Sequence, residues 1–314
     1  MSDSADSRNW LEMTKKTGMA LGLQNSSKLL KLLKLDFSGT TIIHVAGSNG
    51  KGTLCALMAT NFTLIGQSNV LFSSPHLCRV EERIRIGGVP VRAEVFDEAV
   101  KKIRLVSLAC NIAPTFFEVT FLAAMTIASE QKIKFLILET GLGGRLDATR
   151  CAPADLALLT SISLEHTDIL GGEINQIIKE KAAIARPGKP ILARVMDTID
   201  YQKTVESVAK NCYQSLLNEK KQPAKCHFID IPDGATARKE ANILAKRALE
   251  ILDQKSMLKN ADELLNWPGR LQRISLSSGH NLILEAAHNP TGLEKILPEI
   301  INLISTDYLS LIHI

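Results

Sequence analysis

The chain has 314 residues, 45% hydrophobic and 22% charged, a globular profile able to bury a substantial core without metal or disulfide staples. A net charge of +4 and an aromatic content of 4%, with no basic cluster interleaved by aromatics, argue against a nucleic-acid partner. Cys55, Cys78, Cys110, Cys151, Cys212 and Cys226 are scattered and form no CxxC pair, which argues against zinc and for reduced thiols. No apolar run reaches membrane-spanning length and the N-terminus carries no apolar signal core. The expectation is a cytoplasmic chain, a mitochondrial one being the alternative, without membrane partners.

Short apolar runs alternate with longer helical stretches. Residues 40–46 (TTIIHVA) read as a buried strand, 53–65 as a helix and 69–73 (NVLFS) as a second strand. Residues 95–110 and 116–131 carry apolar positions three and four apart, the spacing of helices. FLIL at 135–138 and LALLT at 156–160 are strands; 174–185 is a helix stopped by Pro187 and Gly188; 190–195 is again strand-like. Residues 200–250 read as mainly helical, with a strand near 226–231. This alternation predicts an α/β fold with a mostly parallel sheet covered on both faces. Trp267, Pro268, Gly269 and Arg270 then read as a hinge, followed by a strand at 282–284, a helix at 291–303 and an apolar run at 308–314. One βα unit cannot bury its own apolar face. The expected division is therefore one domain over 1–267 and an incomplete second domain over 268–314.

The strongest local signal is strand, then GSNGKGT at 47–53, then helix. Gly47, Gly50 and Gly52 let the backbone turn its N–H groups, Asn49 included, toward phosphate oxygens at a helix N-terminus. Lys51 can reach the terminal phosphates, and the Thr53 hydroxyl can ligate Mg²⁺. The spacing departs from GxxxxGK[ST]: Val45 stands where that motif needs glycine, and Gly52 separates Lys51 from Thr53.

HVAGSNGKGT resembles the ATP loop of the folylpolyglutamate synthase and dihydrofolate synthase family of the Mur ligase superfamily. Further segments match in order: SSPHL at 73–77, ERIRI at 82–86, FFE at 116–118, LETGLGGRLDAT at 138–149 and TSISLEHTDILG at 160–171. EKAAI at 180–184, WPGRL at 267–271 and AAHNP at 286–290 complete the set. Only 46 residues precede Gly47, fewer than the extra N-terminal domain of the cell-wall branch requires, so the spacing points to the folate branch.

The resemblance implies an ATP-dependent ligase that phosphorylates a folate or pteroate carboxylate and lets the amine of L-glutamate attack the acyl phosphate. It implies a monomer using ATP and Mg²⁺ at two sites. Thr53, Ser74 and Glu139 would hold metal; His166 would hold the second ion, although Mg²⁺ prefers oxygen ligands. Lys181 would be carbamoylated, since a carbamate supplies anionic oxygens where a bare ammonium would repel metal. Asn242, Arg270 and His288 would reach the nucleotide, with Lys51, Lys181, His166 and Arg270 acting in catalysis. Arg79, Arg83 and Phe117 lie in segments that border the family's folate site. Family members continue with a Rossmann-like domain that closes over the site, of which this chain would hold only the first strand and helix.

Three departures stand out: Arg150 where the pattern has asparagine, Glu165 where aspartate is frequent, and Glu285-Ala286 in place of Asp-Gly. Two further hypotheses remain. One is a nucleotide-binding remnant without ligase turnover. The other is an unrelated P-loop phosphotransferase, which would need acceptor motifs of its own; the sequence carries none.

Overall fold

The computed structural model describes residues 2–18, 21–198, 200–212, 222–232, 234–279, 281–287 and 289–303. His288 and the apolar run at 308–314 lie outside them. An eight-stranded sheet carries the fold. Its strands are β1 (Thr41–Ala46), β2 (Asn69–Phe72), β3 (Ile84–Ile86), β4 (Val89–Pro90), β5 (Phe135–Glu139), β6 (Leu156–Leu159), β7 (Pro190–Arg194) and β8 (Lys225–Ile229). The spatial order is β4-β3-β2-β5-β1-β6-β7-β8. All neighbours from β2 to β8 pair in parallel; β3 and β4 are antiparallel at one edge. The predicted mostly parallel α/β sheet is the one observed.

Helices cover both faces, which is why the strands read as unbroken apolar runs. Successive side chains point to opposite faces. Val70 and Phe72 of β2 and Leu136 and Leu138 of β5 therefore meet one helical layer, made of α1 (Ser2–Thr14), α2 (Gln24–Leu33), α4 (Ala93–Ala109) and α5 (Phe116–Glu130). Leu71, Phe135 and Ile137 meet the other, made of α3 (Lys51–Leu64), α9 (Ala237–Ile251) and α10 (Leu258–Leu264). There Phe62 stacks on Phe135 with ring centroids 3.8 Å apart. A third cluster joins β6 and β7 to α6 (Thr167–Leu170), α7 (Ile174–Ala182) and α8 (Tyr201–Lys210).

The helix expected from 53 begins two residues earlier, at Lys51, because Gly50 (φ 84) turns the chain directly into it. The N-terminal helices and the β3–β4 hairpin are additions to the sequence reading. Past the hinge, β9 (Gln272–Ser275) pairs antiparallel with β10 (Asn281–Leu284) in a separate two-stranded sheet, and α11 (Pro290–Leu303) follows. No described helix is long and apolar enough to cross a membrane.

Candidate active site

In a parallel sheet, loops leaving the carboxyl ends of the strands surround a common crevice. Here those loops, together with the α1–α2 connection and the hinge segment, enclose a cavity of ≈ 640 Å³. Of the residues singled out in the sequence, Asn49, Gly50, Lys51, Gly52, Thr53, Ser74, Glu139, His166, Lys181 and Arg270 line it, as do Arg83 and Phe117. The fold thus gathers residues drawn from the ends of β1, β2, β5 and β6, from α7 and from the hinge.

The phosphate loop is stitched to the end of β6. Ser48 N–H donates to the Ser161 carbonyl at 2.7 Å, and the Thr160 hydroxyl donates to the Asn49 carbonyl at 2.7 Å. Gly47 lies beneath the cavity floor with φ 153, and a Cβ there would sit 1.8 Å from the Thr160 hydroxyl oxygen. Only glycine fits. Gly52, the residue that broke the standard spacing, occupies the first turn of α3. A Cβ at that position would meet the Trp267 indole nitrogen at 3.2 Å and both Glu139 carboxylate oxygens at 3.6 and 3.7 Å. The extra glycine brings the helix start against that carboxylate.

Two lysines converge on one carbonyl. Lys51 Nζ donates to the Gly47 carbonyl at 2.8 Å and the Ser48 carbonyl at 3.2 Å. Lys181 Nζ donates to the same Gly47 carbonyl at 3.0 Å and pairs with Glu165 at 2.6 Å. Lys181 is almost wholly buried, its side chain 2% exposed. Burial, then the Lys51 ammonium, lower its pKa to about 8 against the opposing pull of Glu165. For Glu165 burial favours the neutral acid, but Lys181, Lys51 and the Ser48 hydroxyl together hold its carboxyl below the usual range.

Glu139 ends β5 with its side chain buried. Desolvation raises its pKa, although Lys51, the Ser74 N–H, Arg270 and Arg83 all favour the anion. Its hydrogen bond comes from the Ser74 N–H at 3.2 Å. Among the described residues no three His, Cys, Asp or Glu side chains gather into a metal-binding group. A metal here would draw on hydroxyl oxygens, the Glu139 carboxylate, water and phosphate, the hard donor set that suits Mg²⁺. His166 is exposed at the cavity edge, in the left-handed region at φ 47, a conformation costing roughly 1 kcal/mol and concentrated at functional sites.

The opposite wall is apolar and cationic. Phe116 is flanked by Lys15 at 5.0 Å and Arg83 at 5.3 Å. The Arg83 Nε donates to His76 Nδ1 at 2.8 Å, and burial lowers the Arg83 pKa to about 10. Glu118 of FFE borders the same cavity with its carboxylate already engaged: it accepts from Thr115 N–H at 2.8 Å and from the Ser26 hydroxyl at 2.9 Å, tying α5 to α2.

Asn242 does not line the cavity; its amide donates to the Arg238 carbonyl one turn back at 3.0 Å. Arg270 pairs with Glu285 at 3.0 Å and still borders the cavity. Arg150 is buried behind the site, its Nε donating to the Ala183 carbonyl at 2.7 Å. Asp147 was not singled out, although it lies inside GLGGRLDAT. It accepts from Gly141 and Leu142 N–H, both at 2.9 Å, from Thr149 N–H at 3.0 Å and from the Thr149 hydroxyl. It therefore fixes the loop after β5. Lys295 and Trp267 also reach the cavity.

A glycine loop, two lysines and a buried carboxylate above a parallel sheet define an ATP-dependent ligase of the Mur type. No protein-family model matches the chain. It is 31% identical over 323 residues to the dihydrofolate synthase/folylpolyglutamate synthase of Bacillus subtilis, covering 93% of this chain and 74% of that protein. The corresponding protein of Escherichia coli is 30% identical over 318 residues, with 93% and 72% covered. Among solved structures, E. coli FolC in complex with DHPP and ADP superposes with a TM-score of 0.79 at 27% identity, over 96% of this chain and 75% of that one. A bifunctional folylpolyglutamate synthase/dihydrofolate synthase with Mn, AMPPNP and L-glutamate bound gives 0.77 at 28% identity, over 95% and 75%. The chain belongs to the dihydrofolate synthase/folylpolyglutamate synthase family.

Proposed function

We propose that this chain joins L-glutamate to the carboxylate of a folate or of dihydropteroate, using ATP. The observation that carries the reading is one cleft holding both halves of the chemistry. Lys51, Thr53 and Glu139 form its polar floor, and Phe116 with Arg83 and Lys15 forms a wall suited to a flat aromatic acid. Bound DHPP, ADP, AMPPNP, Mn and L-glutamate in the related structures support the same assignment.

In this reading Lys51 and the N–H groups of Gly50 and Gly52 hold the phosphates, with Asn49 beside them and over the turn made by Gly47. Thr53, Ser74 and Glu139 hold one Mg²⁺ and His166 borders a second; bound there, the metal neutralises phosphate charge. Transfer of the terminal phosphoryl group to the acceptor carboxylate yields an acyl phosphate and ADP. The glutamate amine then displaces phosphate and loses a proton as the amide forms. Arg270, held by Glu285, faces the spreading phosphoryl charge. His288 and Asn242 are assigned to the nucleotide; Asn242 must first release its own helix backbone.

Lys181 is the proposed carbamoylation site. Its amine must be neutral to attack carbon dioxide, releasing a proton, and a pKa near 8 supplies that form close to neutral pH. Residues 1–267 are taken as the ATP-binding unit and 268–314 as the beginning of the glutamate-ligase unit. The chain is taken to act as a monomer in the cytoplasm, a setting that suits its six free cysteines.

The test is phosphate release by the purified chain with ATP, Mg²⁺, L-glutamate and either dihydropteroate or tetrahydrofolate. Glutamate-dependent release with one acceptor supports the proposal and identifies that acceptor; Lys51→Ala should abolish it. Release with neither, while nucleotide still binds in a Lys51-dependent way, would instead establish a nucleotide-binding module without turnover. Bicarbonate dependence of the rate, lost in Lys181→Met, tests the carbamate.

A further inference from the structure

Glu240 lies on α9 with its side chain only 4% exposed, outside the cavity lining. Its carboxylate makes three contacts. Ser161 N–H donates to it at 3.1 Å; Arg194 of β7 and Lys295 of α11 pair with it at 2.7 and 2.8 Å. Ser161 is also the residue whose carbonyl accepts the Ser48 and Asn49 N–H groups, at 2.7 and 3.4 Å. From the other side, Asn289 at the start of α11 donates to the Asn49 side-chain oxygen at 3.0 Å, and its own oxygen accepts the Gly292 N–H at 2.8 Å. The contacts close a ring: carboxylate, Ser161, phosphate loop, Asn289, α11, Lys295 and back to the carboxylate.

One cation suffices to neutralise one buried carboxylate, and Arg194 provides it from within the sheet. Lys295 adds little to the balance of buried charge, so its effect falls on where α11 sits. A charge-assisted hydrogen bond in a mostly enclosed setting is directional and strong. It holds α11 at the distance at which Asn289 meets Asn49.

We propose that Glu240 and Lys295 form a positioning clamp that seats α11 on the phosphate loop and sets that loop's geometry for nucleotide. The clamp rests on the nucleotide-binding reading above and extends it to Glu240, outside the cavity lining, and to Lys295 at the cavity border.

The test is calorimetric titration of the full chain with AMPPNP and Mg²⁺, alongside thermal melts without nucleotide. Lys295→Met should weaken AMPPNP binding about tenfold, the equivalent of one charge-assisted hydrogen bond, and leave the ligand-free melt at the wild-type midpoint. Lys295→Arg should restore affinity. Adding Lys295→Met to Glu240→Gln should weaken binding no further, since both remove one contact. Wild-type affinity in Lys295→Met, or an equal loss in Lys295→Arg, overturns the clamp. If Glu240→Gln fails to fold, the two Lys295 variants still decide. Absence of AMPPNP binding by the wild-type chain would overturn the nucleotide reading itself, and the clamp with it.

Discussion

Glu139 combines a fully buried carboxylate with cations that do not reach it. Desolvation raises its pKa, and no bonded counter-ion offsets that cost within the described residues. Glu139→Gln should therefore stabilise the ligand-free chain by roughly 1 kcal/mol or more while eliminating Mg²⁺-dependent nucleotide binding. Chemical denaturation and calorimetry read the two effects separately; a destabilised variant would mean that Lys51, Arg270 and Arg83 already compensate the charge. Gly47→Ala should also lose nucleotide, because its Cβ would collide with the Thr160 hydroxyl at 1.8 Å. Adding Thr160→Ala should recover part of the stability and less of the binding, since φ 153 stays costly for alanine. Glu139 was legible in the sequence because a charged residue closing an apolar strand contradicts its surroundings. Lys181 required the family motif, for a lysine on an amphipathic helix ordinarily faces water. Glu240 gave no signal at all: Arg194 and Lys295 lie 46 and 55 residues away, and only the fold brings them together.

At the level of elements, Glu285 braces the segment around Trp267 and Arg270. The resemblance places aspartate, one methylene shorter, at this position. In the structure the length of Glu285 is used. One oxygen accepts the Leu271 N–H at 2.9 Å; the other accepts the Ala286 N–H at 2.9 Å and meets Arg270 at 3.0 Å. Glu285→Asp should shorten that reach, free Arg270 and raise the KM for ATP several-fold. Steady-state kinetics at varied ATP decides it, and an unchanged KM would show that Arg270 is placed by other means. The parallel strands were readable from their apolar runs and the loops from their glycines. The β3–β4 hairpin and β9 were not, being short, half-exposed and mixed with charge, so neither period 2 nor period 3.6 stands out.

Across the whole molecule, the central strand carries a polar spine. His44 of β1 is fully enclosed, and its Nε2 lies 2.8 Å from the Thr149 hydroxyl, which donates onward to Asp147. Thr149 therefore accepts from His44, fixing a neutral ring with the proton on Nε2. Burial, then Arg186 and Arg150, hold the His44 pKa well below the usual 6.5. The unfolded chain thus takes up a proton that the fold refuses. Its contribution to stability is complete above pH 6.5 and is lost as pH falls below that value, at about 1.4 kcal/mol per pH unit. Urea midpoints at stepped pH should show this slope, and His44→Gln should flatten it; an equal slope in the variant would assign the loss to carboxylates.

The ammonium of Lys51, tied to the Gly47 and Ser48 carbonyls, has a kinetic consequence. An arriving nucleotide finds its principal cation already engaged, so association divides into a rapid encounter and a slower exchange of hydrogen-bond partners. The observed rate of binding should rise with nucleotide concentration and then level off at the rate at which this side chain swings free.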